Sequence, residues 1–308
     1  MGGGEDGCDA GQVKVGIIGG SGLEDPDILE NARKIEQMDT PYGRISDYLV
    51  EGEIGGVPCV LLSRHGRDHS LSPTHVNYRA NIWALAEQGV TVIIASTACG
   101  SLQENIMPGD LLFPDSVYDR TTRRESSFFD ALPGHLPGVC HTQMHPLYHE
   151  KLRQVLISCA EKMRSESSLD ELVNYHSSGF AVCIEGPRFS TRAESNVFRS
   201  WGASIVNMTM LPEAALVKEL GIPYATMALI TDYDCWKEDE HVSVERVMAV
   251  FKKNSEVAKK LLVRAVGAIA GVDWAEDIKE LKKSVRCSVM LPSDMCIPFL
   301  DCNGSSCP

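Results

Sequence analysis

Short apolar runs alternate with amphipathic stretches through most of the chain. Apolar runs of strand length that end at glycine or polar residues predict buried strands, and stretches whose apolar positions recur three or four residues apart predict helices. The predicted strands are 13–18, 58–63, 92–97, 180–184, 203–208 and 224–230, and the predicted helices are 77–88, 146–163, 192–201, 213–220 and 243–269.

The clearest helical pattern is the one at 243–269. Strands that alternate with helices predict an α/β fold whose mixed central sheet is flanked by helices on both faces. In such sheets, binding sites gather in the loops at strand ends. The apolar positions that share one face of the predicted helix at 243–269 are Val244, Val247, Met248, Phe251, Ala258, Leu261 and Leu262.

The two ends of the chain lack this pattern. Residues 1–11 are rich in glycine and acidic residues and predict a disordered tail without the apolar segment of a signal peptide. Residues 293–308 are rich in cysteine, serine and proline, show no periodicity and predict a loose C-terminal tail. Of the 308 residues, 44% are hydrophobic, which is enough for one large domain at 12–292.

Charge and cysteine content narrow the class of protein. The net charge of −13 argues against nucleic-acid binding, which needs a positive surface. We expect no membrane span, because no apolar run approaches the roughly 20 residues that a spanning helix needs. Eleven scattered cysteines without metal-type pairing and without a secretory signal predict mostly reduced thiols and a cytoplasmic protein, with the nucleus as a second expected location.

Four predicted strand ends carry groups that bind anions. A glycine-rich turn with Ser21 follows the first strand, and it matches neither the dinucleotide-binding spacing nor a P-loop. Residues 63–69 supply Arg64 and His65, whose donors suit a phosphate ion, although a surface loop with salt bridges is an alternative. Residues 96–101 and 207–209 add hydroxyl and backbone donors at two further strand ends, where capping of the next helix is the alternative.

Two further loops offer groups for a nucleobase. Asp232 and Asp234 follow the strand at 224–230, where burial would raise the pKa of a carboxyl group and keep it available to protonate a purine at N7. A metal site or a helix cap is the alternative, although two aspartates without further ligands are weak evidence for a metal. Phe189 follows another strand and suits stacking on a base or packing in the core, while Arg188 is positioned to pair with Glu185 or Glu194.

These segments together resemble the trimeric branch of the purine nucleoside phosphorylase family. The resemblance extends from about residue 13 to residue 292 and implies the fold of that family. It rests on GIIGGSGL at Gly16, LLSRHGRDH at Leu61, NYRANIWAL at Asn77, STACGSL at Ser96, PGD at Pro108, IEGPRFSTRAE at Ile184, NMT at Asn207, PE at Pro212 and TDYDCW at Thr231.

The resemblance implies a set of site residues. Asp232 and Asp234 would be catalytic and would also bind the nucleoside, with Met208 against the ribose. Ser21 stands where the family pattern has threonine, so the hydroxyl is kept. The phosphate-binding residues would be Ser21, Arg64, His65, Thr97, Ala98 and Thr209, and the nucleoside-binding residues would add Phe189, Ser190, Val244 and Val247, with His141 and Met290 from a neighbouring subunit.

The same resemblance implies a homotrimer that shares its active sites. No metal or cofactor is expected, and inorganic phosphate would be a co-substrate. The segment 237–242 is one residue shorter than the family pattern, which would shift Val244 and loosen selectivity for the 5′-group. Relatives that prefer 6-oxopurines carry asparagine where Asp232 stands, and an acid accepts from a 6-amino group.

The implied reaction is phosphorolysis of S-methyl-5′-thioadenosine to adenine and 5-methylthioribose-1-phosphate, a step in purine and methionine salvage. The first alternative is a purine nucleoside phosphorylase of broader specificity that acts on adenosine, 2′-deoxyadenosine or inosine. A nucleosidase that uses water and a non-catalytic nucleoside-binding module are further alternatives. Dependence on phosphate and release of the base distinguish these possibilities.

Overall fold

The computed structural model describes residues 13–20, 26–36, 38–166, 174–238, 240, 243–290 and 296–301. The predicted α/β class with a mixed central sheet is confirmed. The strands are β1 (Val15–Gly19), β2 (Glu30–Ile35), β3 (Asp39–Thr40), β4 (Gly43–Arg44), β5 (Leu49–Ile54), β6 (Val57–Ser63), β7 (Val92–Ser101), β8 (Leu111–Leu112), β9 (Ser116–Arg120), β10 (Tyr175–His176), β11 (Phe180–Ile184), β12 (Ile205–Asn207) and β13 (Tyr224–Asp232). The helices are α1 (Tyr78–Glu87), α2 (Glu150–Glu166), α3 (Arg192–Ser200), α4 (Met210–Glu219), α5 (Val244–Ala270) and α6 (Ala275–Ser288), with a short 3-10 helix at Pro26–Ile28.

The sheet has a parallel centre and antiparallel additions. Strands β6, β1, β7 and β13 are neighbours in that order and run parallel, while β5 and β2 extend the β6 edge in antiparallel fashion. Beyond β13, β8 is antiparallel and β10 pairs with β8. The long strand β7 also pairs at its end with the antiparallel β12, which leads to β11 and β9. Strand β7 therefore joins the two parts of the sheet at the carboxyl ends of its parallel neighbours.

Alternate residues of the central strands face two separate apolar cores. Ile18 of β1 and Leu62 of β6 pack in the core that contains residues of α1 and α4, whereas Ile17 and Leu61 pack in the core that contains residues of α2 and α5. Strands buried on both faces need continuous apolar runs, and the sequence of these strands supplies them. Burial from both sides fixes the register of the strands and so fixes the positions of the loops at their ends.

The predicted apolar face of helix α5 is correct only in its later part. Ala258, Leu261 and Leu262 are buried, but Val244 is 68% exposed and Met248 is 52% exposed. The side chain of Phe251 lies outside the described part of the structure. Among the described side chains at the start of α5, Val244 and Met248 therefore face away from the core of this chain.

Part of the predicted C-terminal tail packs on the domain. Ile297 is fully buried, and the ring of Phe299 lies edge-on against Trp83 with centroids 4.8 Å apart. Asp301 pairs with Arg286 of α6 at 3.4 Å. Residues 296–301 are therefore not loose, because their apolar side chains cover the core beside α1. The predicted N-terminal tail at 1–11 and the remaining C-terminal residues lie outside the described residues.

Most described cysteines are free thiols. Cys296 is disulfide-bonded, and the free cysteines are Cys59, Cys99, Cys140, Cys159, Cys183, Cys235 and Cys287.

Within the described ranges, none of the helices has the length and apolar character that a transmembrane segment requires.

Candidate active site

The loops at the carboxyl ends of the parallel strands enclose a cavity of about 420 Å³. Residues after β6, inside β7, after β12 and at the end of β13 meet there, as the rule for strand ends in α/β sheets predicts. The cavity is lined by Gly20, Arg64, His65, His69, Ser70, Leu71, Ser72, Pro73, Thr97, Ala98, Cys99, Gly100, Ile184, Pro187, Phe189, Ser190, Val206, Asn207, Met208, Thr209, Thr231, Asp232, Asp234 and Val247.

Two threonine hydroxyls and one asparagine form the polar centre of one end of the cavity. The Oγ1 atoms of Thr97 and Thr209 are 3.2 Å apart. Asn207 donates from Nδ2 to Thr97 Oγ1, and its Oδ1 accepts from the backbone N–H groups of Thr209 and Met210 at 2.7 Å each. Asn207 thus fixes both threonines, which come from strands that are adjacent only in the folded chain.

A buried arginine lies at the same end and is already paired. Arg64 donates to both carboxylate oxygens of Glu213 and to the carbonyl of Ser96. Glu213 also accepts from the hydroxyl of Tyr224 at 2.8 Å. Because a guanidinium has five N–H groups and three are used here, two remain for a ligand such as phosphate. Glu213 therefore neutralises part of the positive charge at this end of the cavity. Arg67, in the same segment 63–69, does not line the cavity and pairs with Asp47.

His65 is a neutral imidazole in this setting. Its Nδ1 lies 2.8 Å from the carbonyl oxygen of Leu71, and a carbonyl only accepts, so Nδ1 carries the hydrogen. Burial, helped by the adjacent guanidinium of Arg64, lowers the pKa of His65 to about 4. The other nitrogen, Nε2, then carries a lone pair. His65 is thus an acceptor at this nitrogen rather than the donor that the sequence predicts.

Two aspartates lie at the opposite end of the cavity, at the end of β13. Burial raises the pKa of Asp232 to about 6, although hydrogen bonds from the Thr231 hydroxyl and the Asp234 N–H favour its charged form. The predicted direction of this shift is confirmed. A side chain at Gly100 would place its Cβ 2.9 Å from Asp232 Oδ1, so glycine at this position lets β7 pass close to the carboxylate.

Two buried polar atoms at this end lack a hydrogen-bond partner. They are Oδ2 of Asp234 and Oγ of Ser190, and both residues line the cavity. Buried polar atoms are nearly always paired in folded proteins, so an unpaired donor and acceptor that share one cavity indicate a polar ligand. Phe189 lies beside them and is 39% exposed. Arg188 pairs with Glu194, one of its two predicted partners.

The structure brings together most of the residues predicted for the site. Val244 does not line the cavity, because it lies on the exposed start of α5, whereas Val247 one turn later does. Ser21 lies outside the described residues. The predicted residues that line one cavity are Arg64, His65, Thr97, Ala98, Thr209, Phe189, Ser190, Met208, Asp232, Asp234 and Val247.

The two residues predicted to reach a neighbouring subunit lie elsewhere. His141 N donates to Ser288 O, and Met290 N donates to Val139 O, so the two segments run side by side around the bridge between Cys140 and Val289. Met290 is 70% exposed, and neither His141 nor Met290 lines the cavity of this chain.

Glu213, Asn207 and Arg124 contribute to the site in ways that the sequence did not reveal. The first two are recognised only by their contacts with Arg64 and the threonines, since the motifs that contain them carry no such information. Among the described residues, no group of three or more histidine, cysteine, aspartate or glutamate side chains is arranged to hold a metal ion.

Comparison with known proteins places this chain in a family. The sequence profile of the Phosphorylase superfamily matches residues 14–267. S-methyl-5′-thioadenosine phosphorylase of Caenorhabditis elegans is 64% identical over 288 residues, which cover 94% of this chain and 97% of that protein. The chain belongs to the S-methyl-5′-thioadenosine phosphorylases of the phosphorylase superfamily. The phosphorylase of Xenopus tropicalis with the same name is 53% identical over 282 residues, 91% of this chain and 97% of its own.

Solved structures of this family share the fold. Methylthioadenosine phosphorylase of Schistosoma mansoni in complex with adenine matches with a TM-score of 0.85 and 43% identity, covering 90% of this chain and 99% of that one. A variant of an adenosine/methylthioadenosine phosphorylase from the same organism in complex with methylthioadenosine matches with a TM-score of 0.83 and 42% identity, with the same coverage. The phosphorylase fold implied by the sequence motifs is confirmed.

Proposed function

We propose that this protein catalyses the phosphorolysis of S-methyl-5′-thioadenosine to adenine and 5-methylthioribose-1-phosphate. The observation that carries the proposal is one cavity with hydroxyl and guanidinium donors at one end and the carboxyl groups of the partly buried Asp232 and the buried Asp234 at the other. The names of the similar proteins, and the adenine and methylthioadenosine in the Schistosoma mansoni structures, support it.

The hydroxyl end is suited to hold phosphate. Thr97, Thr209 and Ser21 would donate hydroxyl hydrogens, Ala98 its backbone N–H, and Arg64 its two unused N–H groups. Because Asn207 donates to Thr97 Oγ1, the hydroxyl hydrogen of Thr97 is left for another acceptor. A hydrogenphosphate ion carries one P–OH group, and the lone pair on His65 Nε2 would accept from it.

The carboxyl end is suited to hold adenine and to help it leave. Asp232 would hold a proton at N7, and Asp234 Oδ2 would accept from the 6-amino group. The hydroxyl of Ser190 would satisfy another nitrogen of the ring, and Phe189 would pack on its face. A carboxyl group with a pKa near 6 shares its proton more readily near neutral pH than an ordinary aspartate does.

The reaction that follows is a displacement at C1′. The bond from C1′ to N9 breaks, its electron pair goes to the adenine, and the proton at N7 neutralises the charge that develops there. A phosphate oxygen forms the new bond to C1′, while Met208 lies against the ribose. Most of the rate enhancement would come from positioning and from fixed charges and dipoles. No metal or cofactor takes part in this proposal, and phosphate is the co-substrate.

The apolar 5′-group would lie at the start of α5. Val247 lines the cavity there, and the exposed Val244 would need further cover to exclude water. We propose that His141 and Met290 of a neighbouring subunit supply this cover in a homotrimer, because both residues are exposed in this chain and lie on two segments that run side by side. We also propose that the protein acts in the cytoplasm and the nucleus.

The first experiment measures release of the free base from methylthioadenosine, adenosine and inosine in separate assays, each with and without phosphate. Phosphate-dependent release that is fastest from methylthioadenosine supports the proposal. Preference for inosine would assign the protein to purine nucleoside phosphorylases of broader specificity. Release without phosphate would indicate a nucleosidase, and ligand binding without any release would indicate a binding module.

The shared site has its own test. Variants Asp232→Asn and Met290→Asp are each expected to lose activity. When the two unfolded variants are mixed and refolded together, some sites combine an intact Asp232 from one subunit with an intact Met290 from its neighbour, and these sites are expected to be active. Light scattering reports the mass of each preparation. A mixture no more active than its parents would contradict a site shared between subunits.

A further inference from the structure

Arg124 lies behind the cavity rather than in it. Its side chain is only 1% exposed and follows β9 by four residues. Through Nη1 it donates to the carbonyl oxygens of Met208 at 2.6 Å and Leu211 at 2.7 Å. Through Nη2 it donates to the carbonyl oxygen of Glu185 at 2.6 Å, and through Nε to a carboxylate oxygen of the same residue at 3.1 Å.

These contacts lie where the pairing of two strands ends. Strands β11 and β12 run parallel, and their last paired residues are Cys183 and Asn207. Beyond this point the backbones of the two segments no longer pair with each other, and their carbonyl groups would be buried without donors. The guanidinium of Arg124 supplies those donors to both segments. It therefore continues the connection between the strands after their own hydrogen bonds stop.

The two segments that Arg124 joins form two walls of the cavity. One wall continues from Met208 to Thr209, which belongs to the phosphate end. The other continues from Glu185 to Phe189 and Ser190, which belong to the base end. The walls touch closely, since a Cβ on Gly186 would lie 2.6 Å from the sulfur of Met208. A small shift at Arg124 would change the separation of phosphate and base.

Glu185 secures the arginine from the other side. Its carboxylate accepts from the backbone N–H of Thr122 at 2.6 Å and from the hydroxyl of Thr74 at 2.7 Å, besides the bond from Arg124. Although burial favours the neutral form, these donors lower the pKa of Glu185 to about 2, so the carboxylate stays charged. The ion pair therefore persists across the neutral pH range.

We propose that Arg124 is a positioning residue that sets the distance between the phosphate-binding and base-binding walls. It touches neither substrate in the proposed function, on which this inference rests. A planar guanidinium reaches carbonyl groups on both walls at fixed angles, and the single ammonium of lysine does not. Errors near 1 Å in placing reactants reduce rates by about 100-fold.

The test compares Arg124→Lys with Arg153→Lys. Arg153 is a matched control because its side chain is also buried, at 5% exposed, and also donates to several backbone carbonyls, those of Phe113, Pro114 and Ser177. None of these contacts lines the cavity. Both variants are expected to lower the unfolding midpoint in urea, and activity is measured in buffer without urea.

The expected result is a specific kinetic change. Arg124→Lys raises KM for both phosphate and nucleoside and lowers kcat, with a combined loss in kcat/KM of about 10- to 100-fold, whereas Arg153→Lys stays within about twofold of wild type. Equal kinetics of the two variants, with an active wild-type enzyme, would overturn the inference and leave the proposed function intact. An inactive wild-type enzyme would overturn both.

Discussion

The guanidinium of Arg64 donates to both carboxylate oxygens of Glu213, from Nε at 2.6 Å and from Nη2 at 2.8 Å. Both side chains are almost fully buried. Glu213 thus balances the charge of Arg64 and also fixes which of its N–H groups remain for phosphate. The phosphate end holds its anion with directed donors rather than with excess positive charge, which agrees with an acidic protein that selects one small ion.

Removing the charge of Glu213 tests this pairing. In Glu213→Gln an amide N–H₂ faces the guanidinium, so Arg64 loses one acceptor and its orientation. We expect a loss of about 3–5 kcal/mol in the free energy of unfolding, typical of a broken buried pair, and a higher KM for phosphate. Urea unfolding at fixed protein concentration and initial rates at varied phosphate measure the two effects.

The control is Asp39→Asn, whose partner Arg44 is exposed on the surface. Exposed pairs contribute about 0–1 kcal/mol, so this change is expected to leave both measurements near wild type. A Glu213→Gln variant that unfolds like Asp39→Asn and keeps its KM for phosphate would show that Arg64 does not depend on Glu213.

Asn207 gives a second prediction about the phosphate end. Asn207→Asp keeps the oxygen that accepts from Thr209 and Met210, but it loses the donor to Thr97 and adds negative charge beside the anion. We expect KM for phosphate to rise at least about tenfold, which corresponds to about 1.4 kcal/mol. The KM for methylthioadenosine at saturating phosphate should change much less.

Asn77 offers the same chemistry away from the cavity. Its oxygen accepts from Ala80 N and its amide donates to Tyr42 O and Arg44 O. The variant Asn77→Asp is therefore expected to affect stability without affecting KM for phosphate. Equal KM values for the two variants would contradict a role of Asn207 in phosphate binding.

The centre of the fold and most of the site follow from the sequence for a common reason. Strands such as β6, β7 and β13 are covered on both faces, so they require uninterrupted apolar runs, and polar residues directly after such runs must lie at the sheet edge. Arg64 directly follows β6 and Asp232 is the last residue of β13, whereas Thr97 follows the apolar run 92–95 but lies inside β7. Their chemistry is thus visible before the fold is known.

Other parts of the molecule leave no comparable pattern. Strand β2 is an exposed edge strand, and helix α6 buries only Val285, so neither shows a sustained apolar period. The partner of Arg64 lies 149 residues away in the chain, and no local rule connects the two. The exposed start of α5 continues the helical period of apolar residues, and this period does not indicate what covers Val244 and Met248.

Asp232 carries the proton in the proposed reaction, and Asp232→Asn removes it. The amide keeps the size of the side chain but holds no exchangeable carboxyl proton, so kcat for methylthioadenosine is expected to fall about 100- to 10,000-fold, the range of general acid catalysis. Single-turnover measurements of adenine release report the chemical step directly. A near-normal rate would remove Asp232 from the proton transfer.

The same substitution is expected to stabilise the protein at neutral pH. Burial raises the pKa of Asp232 from 3.8 to about 6, so the folded state binds the proton more tightly than the unfolded state. This contribution is fully present below about pH 4 and is lost as pH rises through 6. The stability of Asp232→Asn relative to wild type should therefore increase by about 2 kcal/mol between pH 4 and pH 7.

Urea unfolding at both pH values, at one protein concentration, measures this change. Asp39→Asn again serves as the control, since it replaces an exposed aspartate by the same amide. A difference between wild type and Asp232→Asn that is the same at pH 4 and pH 7 would show that Asp232 does not titrate in the folded protein as burial predicts.

His65 provides the last prediction, because its hydrogen bond to Leu71 O fixes the hydrogen on Nδ1. Burial and the charge of Arg64 lower its pKa to about 4, and His69 and Arg124 add to this effect. We expect the ¹⁵N spectrum of labelled histidine to show His65 neutral, with Nε2 unprotonated, from pH 8 down to about pH 5. The variant His65→Gln identifies the signal by its disappearance. A His65 signal that titrates near the ordinary pKa of about 6.5 would contradict the assignment and would restore the imidazolium as a donor to phosphate.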